Sequence, residues 1–391
     1  MTALTCETED LRRSLRPQRA DASVRGVVVT YPLGDAALHH GHMAATRHEI
    51  ARRLSALMGY AYAGDYDALR HSGTTAYYVP SDTLDCETAL AAGIRDETDL
   101  FGGVVPHSVV ATKTITHSLV DGRSRAPAGW SVEFPLRVAE VVLDGRSAFS
   151  REDARAAGRM LMEDGPVRVK PGGGIAGLGQ SVVDNMADLD HALDALDGDD
   201  LSRLGVVLEQ NLEDVTTYSV GQVRVADLVA TYYGTQSTTT SNHGAEVYGG
   251  SEITVVRGGF DAFAAWHMPE DIALAIDQAR TYDAAAGECF KGMYASRRNY
   301  DVVQGRDGRG CSRSGVLEQS WRMGGASGAE IGALEAFRAD PSLRIVRAMT
   351  CEVYGDAPSV PPEAVIYFKG VDERVGPLTK YALTQTYADA R

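Results

Sequence analysis

The sequence predicts a protein of mixed α/β and α+β class, in which a small open-sheet unit precedes a larger unit built on antiparallel strands. The β-branched run GVVVTY at 26–31 predicts a buried strand, and Ile50, Leu54 and Leu57 then mark one face of a helix. Further along, TYSVGQVRV and LVATYYG alternate polar and apolar residues, as antiparallel strands do. A chain of 391 residues has room for two or three such units.

Composition and charge narrow the class of partner. The chain carries 38 basic and 53 acidic residues, a formal net charge of −15, which disfavours general binding to nucleic acid. No stretch approaches the ~18 apolar residues of a membrane span, and the first residues lack the apolar core of a signal peptide. The five cysteines are scattered without a C-x-x-C pair, which indicates reduced thiols. We therefore predict a cytoplasmic protein with no membrane or nucleic-acid partner.

The N-terminal open-sheet unit is predicted to cover residues 24–105. It follows a segment at 1–23 that lacks a long apolar stretch and is predicted to be a mobile arm. A second strand-like segment, TAYYVP around Tyr77, continues the alternation of strands and helices to about Gly103.

A histidine run follows the first predicted strand. His39, His40 and His42 lie where open α/β sheets bind ligands, at the carboxyl ends of their strands. The run alone supplies too few ligands for zinc. Two interpretations stay open: a loop on the substrate side, or simply the start of a helix.

Two further lobes are predicted at 106–205 and 206–391. Ser150 and Asp153 have the spacing of a capping box and predict a helix over 151–163, which leads into a strand ending at Lys170. A second helix and the buried strand GVVLEQ at 205–210 come later. The apolar stripe of that helix consists of Met186, Leu189, Leu193 and Leu196.

The glycine run after Lys170 matches two phosphate-binding patterns only in part. Gly172, Gly174 and Gly177 fit G-x-G-x-x-G, but the following QSVV indicates a strand where the dinucleotide fold needs a helix. Gln180 stands where a P-loop has its lysine. What remains is a glycine-rich hairpin beside a lysine. It is either an anion site built from backbone N–H groups or a hairpin without chemical role.

Two later segments have less specific patterns. Between Gln236 and Ser251 the chain is polar with almost nothing to bury, and a solvent loop and an active-site loop are equally compatible with it. Ser327 and Glu330 have the spacing of a second capping box, which predicts a helix start there.

The segment from 299 to 327 combines acidic and basic side chains. It predicts a strand at 300–303, a turn, and a returning strand, so that Asp301 and Glu318 face each other. Two carboxylates this close repel each other unless a cation such as Mg²⁺ lies between them. Arg322 is close enough in sequence to reach the same anion. The alternative is that Asp301 caps a turn and Glu318 pairs with an arginine on a solvated face.

Together these segments resemble the ATP-grasp superfamily of the carboxylate-amine ligase type, over about residues 105–340. Its members hold ATP between two α+β lobes, so the resemblance implies an ATP-grasp fold behind the N-terminal open-sheet domain. The implied ATP contacts come from VVATKTITHSLV, VRVKPGGGIAGLGQ and VVLEQNL. They are Lys113, Lys170, Gly172, Gly173, Gly174, Gly177, Glu209, Gln210 and Leu212.

The resemblance also implies a metal site for Mg²⁺, or Mn²⁺ in its place. Its ligands would be Asp301, Glu318 and Ser320, the last standing where the family has asparagine, with Gln319 as a substitute for this poorer ligand. Arg322 is implied to contact a phosphate or intermediate.

Two further assignments accompany the resemblance. Arg257 in TVVRGG is a second catalytic candidate, with a surface arginine as the alternative. For the ribose-binding acid, Glu213 and Asp214 are candidates, although the family spacing falls on Thr216.

The implied reaction is ADP-forming ligation, in which a small-molecule carboxylate becomes an acyl phosphate and an amine or similar nucleophile captures it. A homodimer is compatible with this type of enzyme. The segments GTQSTTT, VYGGSE and VLEQSWRMGGAS resemble a bacterial branch of unknown function labelled biotin-carboxylase-like. Two alternatives follow. One is carboxylation through carboxyphosphate with a biotinyl carrier, and the other is a non-catalytic ATP-binding regulator, for which Ser320 is the motive.

Overall fold

The structure is a computed structural model that describes residues 26–34, 40–174, 179–356 and 358–386. The predicted arm at 1–23, His39 and Gly177 lie outside the described residues. The helices are α1 Gly41–Met58, α2 Cys86–Ala92, α3 Glu133–Arg137, α4 Arg151–Leu161, α5 Met186–Asp194, α6 Gly198–Leu204, α7 Glu270–Cys289 and α8 Ser327–Ala339. None of the described helices has the length and apolar character needed to cross a membrane.

The strands alternate with these helices. They are β1 Val27–Tyr31, β2 Ala61–Asp65, β3 Ala76–Pro80, β4 Leu84–Asp85, β5 Gly103–Val105, β6 Gly145–Ala148, β7 Val167–Pro171, β8 Ser181–Val183, β9 Val206–Gln210, β10 Glu213–Val225, β11 Leu228–Thr240, β12 Glu246–Arg257, β13 Tyr294–Ala295, β14 Arg297–Arg306, β15 Ser312–Ser320, β16 Ile345–Tyr354, β17 Val365–Asp372 and β18 Gly376–Thr386.

The N-terminal unit is the small parallel sheet that the sequence predicts. Its strand order is β2-β1-β3, and α1 packs on it through Ile50, Leu54 and Leu57. Parallel strands need a crossover, and α1 is the crossover between β1 and β2. A second small sheet, β13-β5-β4, ties this unit to the later chain because β13 pairs with β5.

A four-stranded sheet with the order β6-β9-β7-β8 carries α4 and α5 on one face. Its residues alternate as a half-covered sheet requires: Val167 and Val169 pack under the helices, whereas Arg168 and Lys170 project to the other face. The Ser150 cap is confirmed, since its Oγ accepts from the Asp153 amide at 3.1 Å. Because β9 pairs into this sheet, the boundary predicted after residue 205 would divide the sheet.

The eight-stranded antiparallel sheet has the order β15-β14-β10-β11-β12-β16-β18-β17. Its two faces are covered by different helices. Tyr218 and Val220 of β10 pack in the core cluster that contains α7, whereas Val223 and Val225 pack in the cluster that contains α8. The antiparallel unit predicted from alternating residues is therefore confirmed.

The capping box predicted for Ser327 and Glu330 is wrong. The residue at the N-cap is Ala326, and Ser327 Oγ accepts from the Gly324 amide at 3.0 Å. Glu330 faces inward and is fully buried, with Arg297 donating to its two carboxylate oxygens at 2.8–3.2 Å. A buried guanidinium requires a carboxylate partner, so Glu330 pairs with Arg297 and does not cap the helix.

The polar segment between Gln236 and Ser251 is not a loop. Most of it extends β11 and β12 into a hairpin, in which Thr238 pairs with Tyr248 and Thr240 with Glu246. Threonine favours extended backbone, so this polar stretch can form strands. A strand pair that borders open space rather than a core does not need an apolar face. Cys86, Cys289, Cys311 and Cys351 are free thiols, as predicted for the described cysteines.

Candidate functional site

A cavity of about 760 Å³ lies between the four-stranded and the eight-stranded sheet. Strands β7 and β9 form one wall, β10, β14 and β15 form the opposite wall, and the β11–β12 hairpin closes a third side. This volume is in the range of small-molecule sites. Several residues singled out from the sequence meet at this cavity, with others that the sequence did not indicate.

Lys170 belongs to a buried charge cluster at the cavity wall. Its Nζ donates to Glu209 Oε1 at 2.7 Å, and His117 Nε2 lies 3.3 Å from Glu209 Oε2. All three side chains are at most 3% exposed. Burial alone would raise the pKa of Glu209, but Lys170 and His117 outweigh it and lower that pKa to about 2. Glu209 is therefore a carboxylate that holds the lysine in place.

Gly145 makes room for this cluster. A Cβ at Gly145 would lie within 2.8 Å of the His117 ring, so any side chain there would displace the histidine that supports Glu209. His117 was not singled out from the sequence, because nothing in THSLV distinguishes it from an ordinary core residue.

Lys113 lies in a short 3-10 helix at Lys113–Thr116 and is also paired. Its Nζ is 2.5 Å from Glu318 Oε2, and its side chain is 5% exposed. Two lysines implied to bind phosphate are thus both neutralised by carboxylates. One of those carboxylates, Glu318, is itself an implied metal ligand.

Asp301 and Glu318 face each other, as predicted. They are direct partners across β14 and β15. A bulge produces this register, since Val302 pairs with Val316 and Leu317 is the extra residue between the two pairs. Both Leu317 and Glu318 consequently line the cavity.

Asp301 is held by two amide groups. Gln236 Nε2 donates to Asp301 Oδ1 at 2.8 Å and Asn299 Nδ2 at 3.0 Å. Asn299 is fixed in turn, because its Oδ1 accepts from Ser219 and Tyr232 at 2.7 and 2.8 Å. Burial first and the nearby Glu318 second raise the pKa of Asp301 to about 6, against the effect of the amide donors.

This pair fits one divalent cation of the Mg²⁺ type. The described residues contain no cluster of three or more His, Cys, Asp or Glu arranged to hold a metal ion. Mg²⁺ does not need one, since it is commonly bound by one or two carboxylates together with phosphates and waters. The mutual repulsion that raises the pKa of Asp301 is also what a cation between the carboxylates would relieve.

The third implied ligand, Ser320, lies apart from the other two. Ser320 does not line the cavity, and its Oγ accepts from Arg297 Nη1 at 3.3 Å. Gln319 cannot replace it. Its amide donates to the carbonyls of Val110 and Thr112, and its Oε1 accepts from Tyr282. The alternation of β15 directs Gln319 to the face opposite Glu318.

An apolar surface lies next to these charges. Leu143, Leu212 and Val303 are buried together with Leu317 packed against them, and all four line the cavity. Leu212 follows β9, so the implied hinge of Glu209, Gln210 and Leu212 does lie along the wall. At the hinge, Leu212 offers an apolar surface to a ligand. The Glu209 carboxylate is not free for such a contact, because it is paired with Lys170.

The described start of the glycine run, 171–174, forms a tight turn after β7. The Gly172 amide donates to Gly205 O at 2.8 Å and the Gly174 amide to Pro171 O at 3.0 Å. These two N–H groups are therefore engaged by the protein itself, and the contact of the glycine run with an anion stays a prediction. Gly173 is exposed at the tip of the turn.

Arg257 lies away from the cavity wall. It donates to the carbonyls of Leu343 and Phe337 at 3.0 and 2.6 Å, and its guanidinium lies 4.7 Å from the Phe337 ring centre. It thus satisfies carbonyls at the end of α8 and does not line the cavity. Its position on β12, where that strand reaches the last turn of α8, explains the difference.

Arg322 also lies outside the cavity wall. Its Nε is 3.4 Å from Asp82 Oδ1, and Nη1 donates to Met323 O at 3.0 Å. β15 has ended at Ser320, and Trp321 is buried in the α7 core cluster. The chain therefore turns before Arg322 and directs it toward the N-terminal unit.

The candidates for the ribose contact also divide into residues that line the cavity and residues that do not. Thr216 and its neighbour Thr217 line the cavity, whereas Glu213 and Asp214 do not. The hairpin adds a carboxylate that the sequence did not indicate, Glu246, whose Oε1 accepts from Thr238 Oγ1 at 2.6 Å.

The histidine run marks a helix start. His40 is the N-cap residue of α1, and the His42 amide donates to Asp372 Oδ2 at 2.8 Å. His42 Nδ1 lies 3.3 Å from Lys380 Nζ. Burial and then Lys380 lower the pKa of His42 against the opposite effect of two carboxylates. Of the two open interpretations, helix entry is confirmed.

The family model described as "Protein of unknown function (DUF3182)" matches residues 28–382. The chain belongs to this family. No curated protein matches the sequence.

Solved structures match the DUF3182 chain along most of its length. Biotin carboxylase from Campylobacter jejuni, crystallised with a β,γ-ATP compound, has a TM-score of 0.50 at 11% identity over 94% of this chain and 89% of that one. Phosphoribosylamine–glycine ligase from Thermotoga maritima has 0.50 at 16% identity over 92% of both chains. The biotin carboxylase domain of Hydrogenobacter thermophilus 2-oxoglutarate carboxylase has 0.50 at 11% identity over 92% and 86%. This DUF3182 protein has the ATP-grasp fold.

Proposed function

We propose that the protein binds MgATP in the cavity and uses it to activate a small-molecule carboxylate. The observation that carries the proposal is the meeting, in one cavity, of Lys170, the Asp301–Glu318 pair and the apolar wall around Leu212. These are the three parts that a nucleotide needs: cations for phosphate, oxygen ligands for its metal, and an apolar surface for its base.

The chemistry proposed is ADP-forming ligation. A carboxylate oxygen attacks the γ-phosphorus, ADP leaves, and an amine or similar nucleophile then attacks the acyl carbon with release of phosphate. Asp301 and Glu318 would hold Mg²⁺, whose charge would offset that of the phosphates. Lys170, held at the cavity wall by Glu209, and Lys113, once a cation releases it from Glu318, would position the phosphates. Catalysis is then positioning and electrostatics without a side-chain nucleophile.

We place the second substrate near the N-terminal unit at 24–105. Arg322 is directed toward that unit and pairs there with Asp82, which follows β3 at the carboxyl end of the parallel sheet. Ligands of open α/β sheets bind at that edge. Arg322 is then a candidate contact of the carboxylate substrate or of the acyl phosphate.

A non-catalytic ATP-binding protein is the second candidate, and one observation favours it. The position of the third implied ligand is occupied by Ser320, which is bonded to Arg297. A protein with two protein ligands for its metal can bind MgATP and still fail to align it for transfer. This candidate predicts binding without turnover.

One experiment separates the two candidates. Purified protein is incubated with MgATP and a panel of small carboxylates, each with and without amines, and ADP, phosphate and new masses are measured. The ligase predicts ADP release that depends on a carboxylate and disappears in Asp301→Asn. Tight MgATP binding without any substrate-dependent ADP would support the regulator. Absence of MgATP binding would refute both.

The pKa of Asp301 predicts how cation binding depends on pH. Because burial and Glu318 raise this pKa to about 6, a proton competes with the cation below that value. Between pH 7.5 and 5.5 the ionised fraction of Asp301 falls about fourfold, and Mg²⁺ affinity in the presence of ADP should fall by a similar factor. Calorimetric titration at both pH values measures this. An unchanged affinity, or an equal change in Asp301→Asn, would contradict the assignment.

A further inference from the structure

Arg168 is a cation of the cavity wall that differs from its neighbours. It lies on β7 two residues before Lys170, and strand alternation places both side chains on the cavity face. Lys170 is neutralised by Glu209 and Lys113 by Glu318. No described carboxylate forms an ion pair with Arg168, although it is the direct cross-strand partner of Glu209.

The partners of Arg168 are neutral amides. Its Nη2 donates to Asn211 Oδ1 at 2.8 Å, and Nη1 lies at 3.5 Å from Gln180 Oε1. Such bonds lie in the plane of the guanidinium and hold it by its edge. They leave the positive charge uncompensated and the planar face unoccupied by a hydrogen bond.

The hydrogen bond to Asn211 determines where the planar face of the Arg168 guanidinium lies. Asn211 lies between Gln210 and Leu212, both of which line the cavity. Its backbone N–H donates to Pro166 O at 3.0 Å. The guanidinium is therefore tied to the hinge, next to the apolar wall that contains Leu212. A guanidinium stacks on aromatic rings far better than an ammonium does.

We propose that Arg168 stacks on the base of a nucleotide bound at the hinge. The base would lie between the guanidinium and the apolar wall of Leu143, Leu212, Val303 and Leu317. Arg168 is then a binding residue for a nucleoside triphosphate that recognises the aromatic base, while Lys170 and Lys113 serve the phosphates. This inference rests on the proposed nucleotide site and assigns within it a contact that the glycine and lysine pattern does not contain.

The test compares a ligand that has a base with one that lacks it. Binding of MgATP and of magnesium tripolyphosphate is measured by competition against a fluorescent nucleotide, for the wild type, Arg168→Leu and Arg168→Lys. Stacking predicts that both variants weaken MgATP by about five- to thirtyfold, the range of a desolvated cation–π contact. Tripolyphosphate affinity should change less than twofold.

Three outcomes overturn the inference. An equal loss for tripolyphosphate would show that Arg168 binds anionic phosphate. Retention of MgATP affinity by Arg168→Lys would show that charge rather than stacking matters, and unchanged affinity in both variants would remove Arg168 from the site. Arg146→Lys is the matched control, because Arg146 lies in the same sheet on β6 but does not line the cavity. If wild-type protein binds no MgATP, the proposed function fails, which is a distinct result.

Discussion

Replacing Lys170 by methionine is expected to abolish MgATP binding and to destabilise the fold at the same time. Lys170 is 3% exposed and its main partner, Glu209, is 1% exposed. Methionine fills similar space but leaves the buried Glu209 carboxylate with the His117 ring as its remaining side-chain partner. Removing one member of a buried ion pair typically costs about 3–5 kcal/mol. Calorimetry measures the loss of binding, and denaturant unfolding measures the loss of stability.

A double variant separates the two effects. In Lys170→Met with Glu209→Gln both charges are gone, so no buried carboxylate is left unpaired and most of the stability should return. MgATP binding should stay absent, because the cation is still missing. Recovery of binding in the double variant would mean that Lys170 only supports the fold.

Acid unfolding offers an independent check of the same pair. The pKa of Glu209 is lowered from 4.5 to about 2, so its stabilising contribution is present above pH 4.5 and is lost as the pH falls toward 2. The size expected from such a shift is about 3 kcal/mol. The double variant has no carboxylate there and should lose less stability over that range than the wild type.

The order of elements and the two key carboxylates could be predicted from the sequence, because both depend on local patterns. Apolar runs and alternation predicted β1, β7 and β9, and the predicted hairpin brought Asp301 close to Glu318. The bulge at Leu317 could not be predicted. A single extra residue changes which side chain faces the cavity, and no local signal in GVLEQS marks it.

The residues that sequence reasoning misassigned are decided by distant partners. Glu330 has capping-box spacing, yet Arg297 from another strand takes its carboxylate. Arg257 looked like an anion contact, yet it lies beside the end of α8 and bonds carbonyls there. Neither partner is visible in the local sequence, since each contact joins residues 33 or more positions apart.

Some of the residues that sequence reasoning missed could have been found by applying strand alternation to more positions. Lys170 was singled out because of the glycine run, and period-two alternation on the same strand would have placed Arg168 beside it. The same alternation on β14 would have placed Asn299 beside Asp301, two residues further on. Gln236 is different, because it reaches Asp301 from β11 across β10, and only the assembled sheet defines that pairing.

Replacing Glu318 by glutamine is expected to remove most of the metal dependence of nucleotide binding. In the wild type Lys113 is paired with Glu318 at 2.5 Å, so a nucleotide without metal would have to break this pair and leave two carboxylates uncompensated beside its phosphates. A cation bound by Glu318 and Asp301 removes both obstacles, because it compensates the carboxylates and releases Lys113 to the phosphates. Metal and nucleotide are therefore expected to bind with positive coupling.

Glutamine at 318 keeps the shape of glutamate but not its charge. The affinity for metal-free ATP should rise, and the additional affinity that Mg²⁺ provides should fall. ATP in the presence of a chelator should bind about tenfold more tightly than to the wild type, because Lys113 is free and one repelling charge is gone. Mg²⁺ should then add little or no affinity. Titrations with and without Mg²⁺ measure both constants in the same preparation.

The control is Glu246→Gln, which removes one negative charge from the same cavity at a carboxylate that contacts Thr238 and neither Lys113 nor Asp301. It removes the same unit charge from the lining of the cavity, at an exposed position. If Glu246→Gln raised metal-free ATP affinity as much as Glu318→Gln, the effect would be one of general charge. A rise confined to Glu318→Gln would tie the coupling of metal and nucleotide to one exchange, in which Lys113 gives up a carboxylate and takes a phosphate.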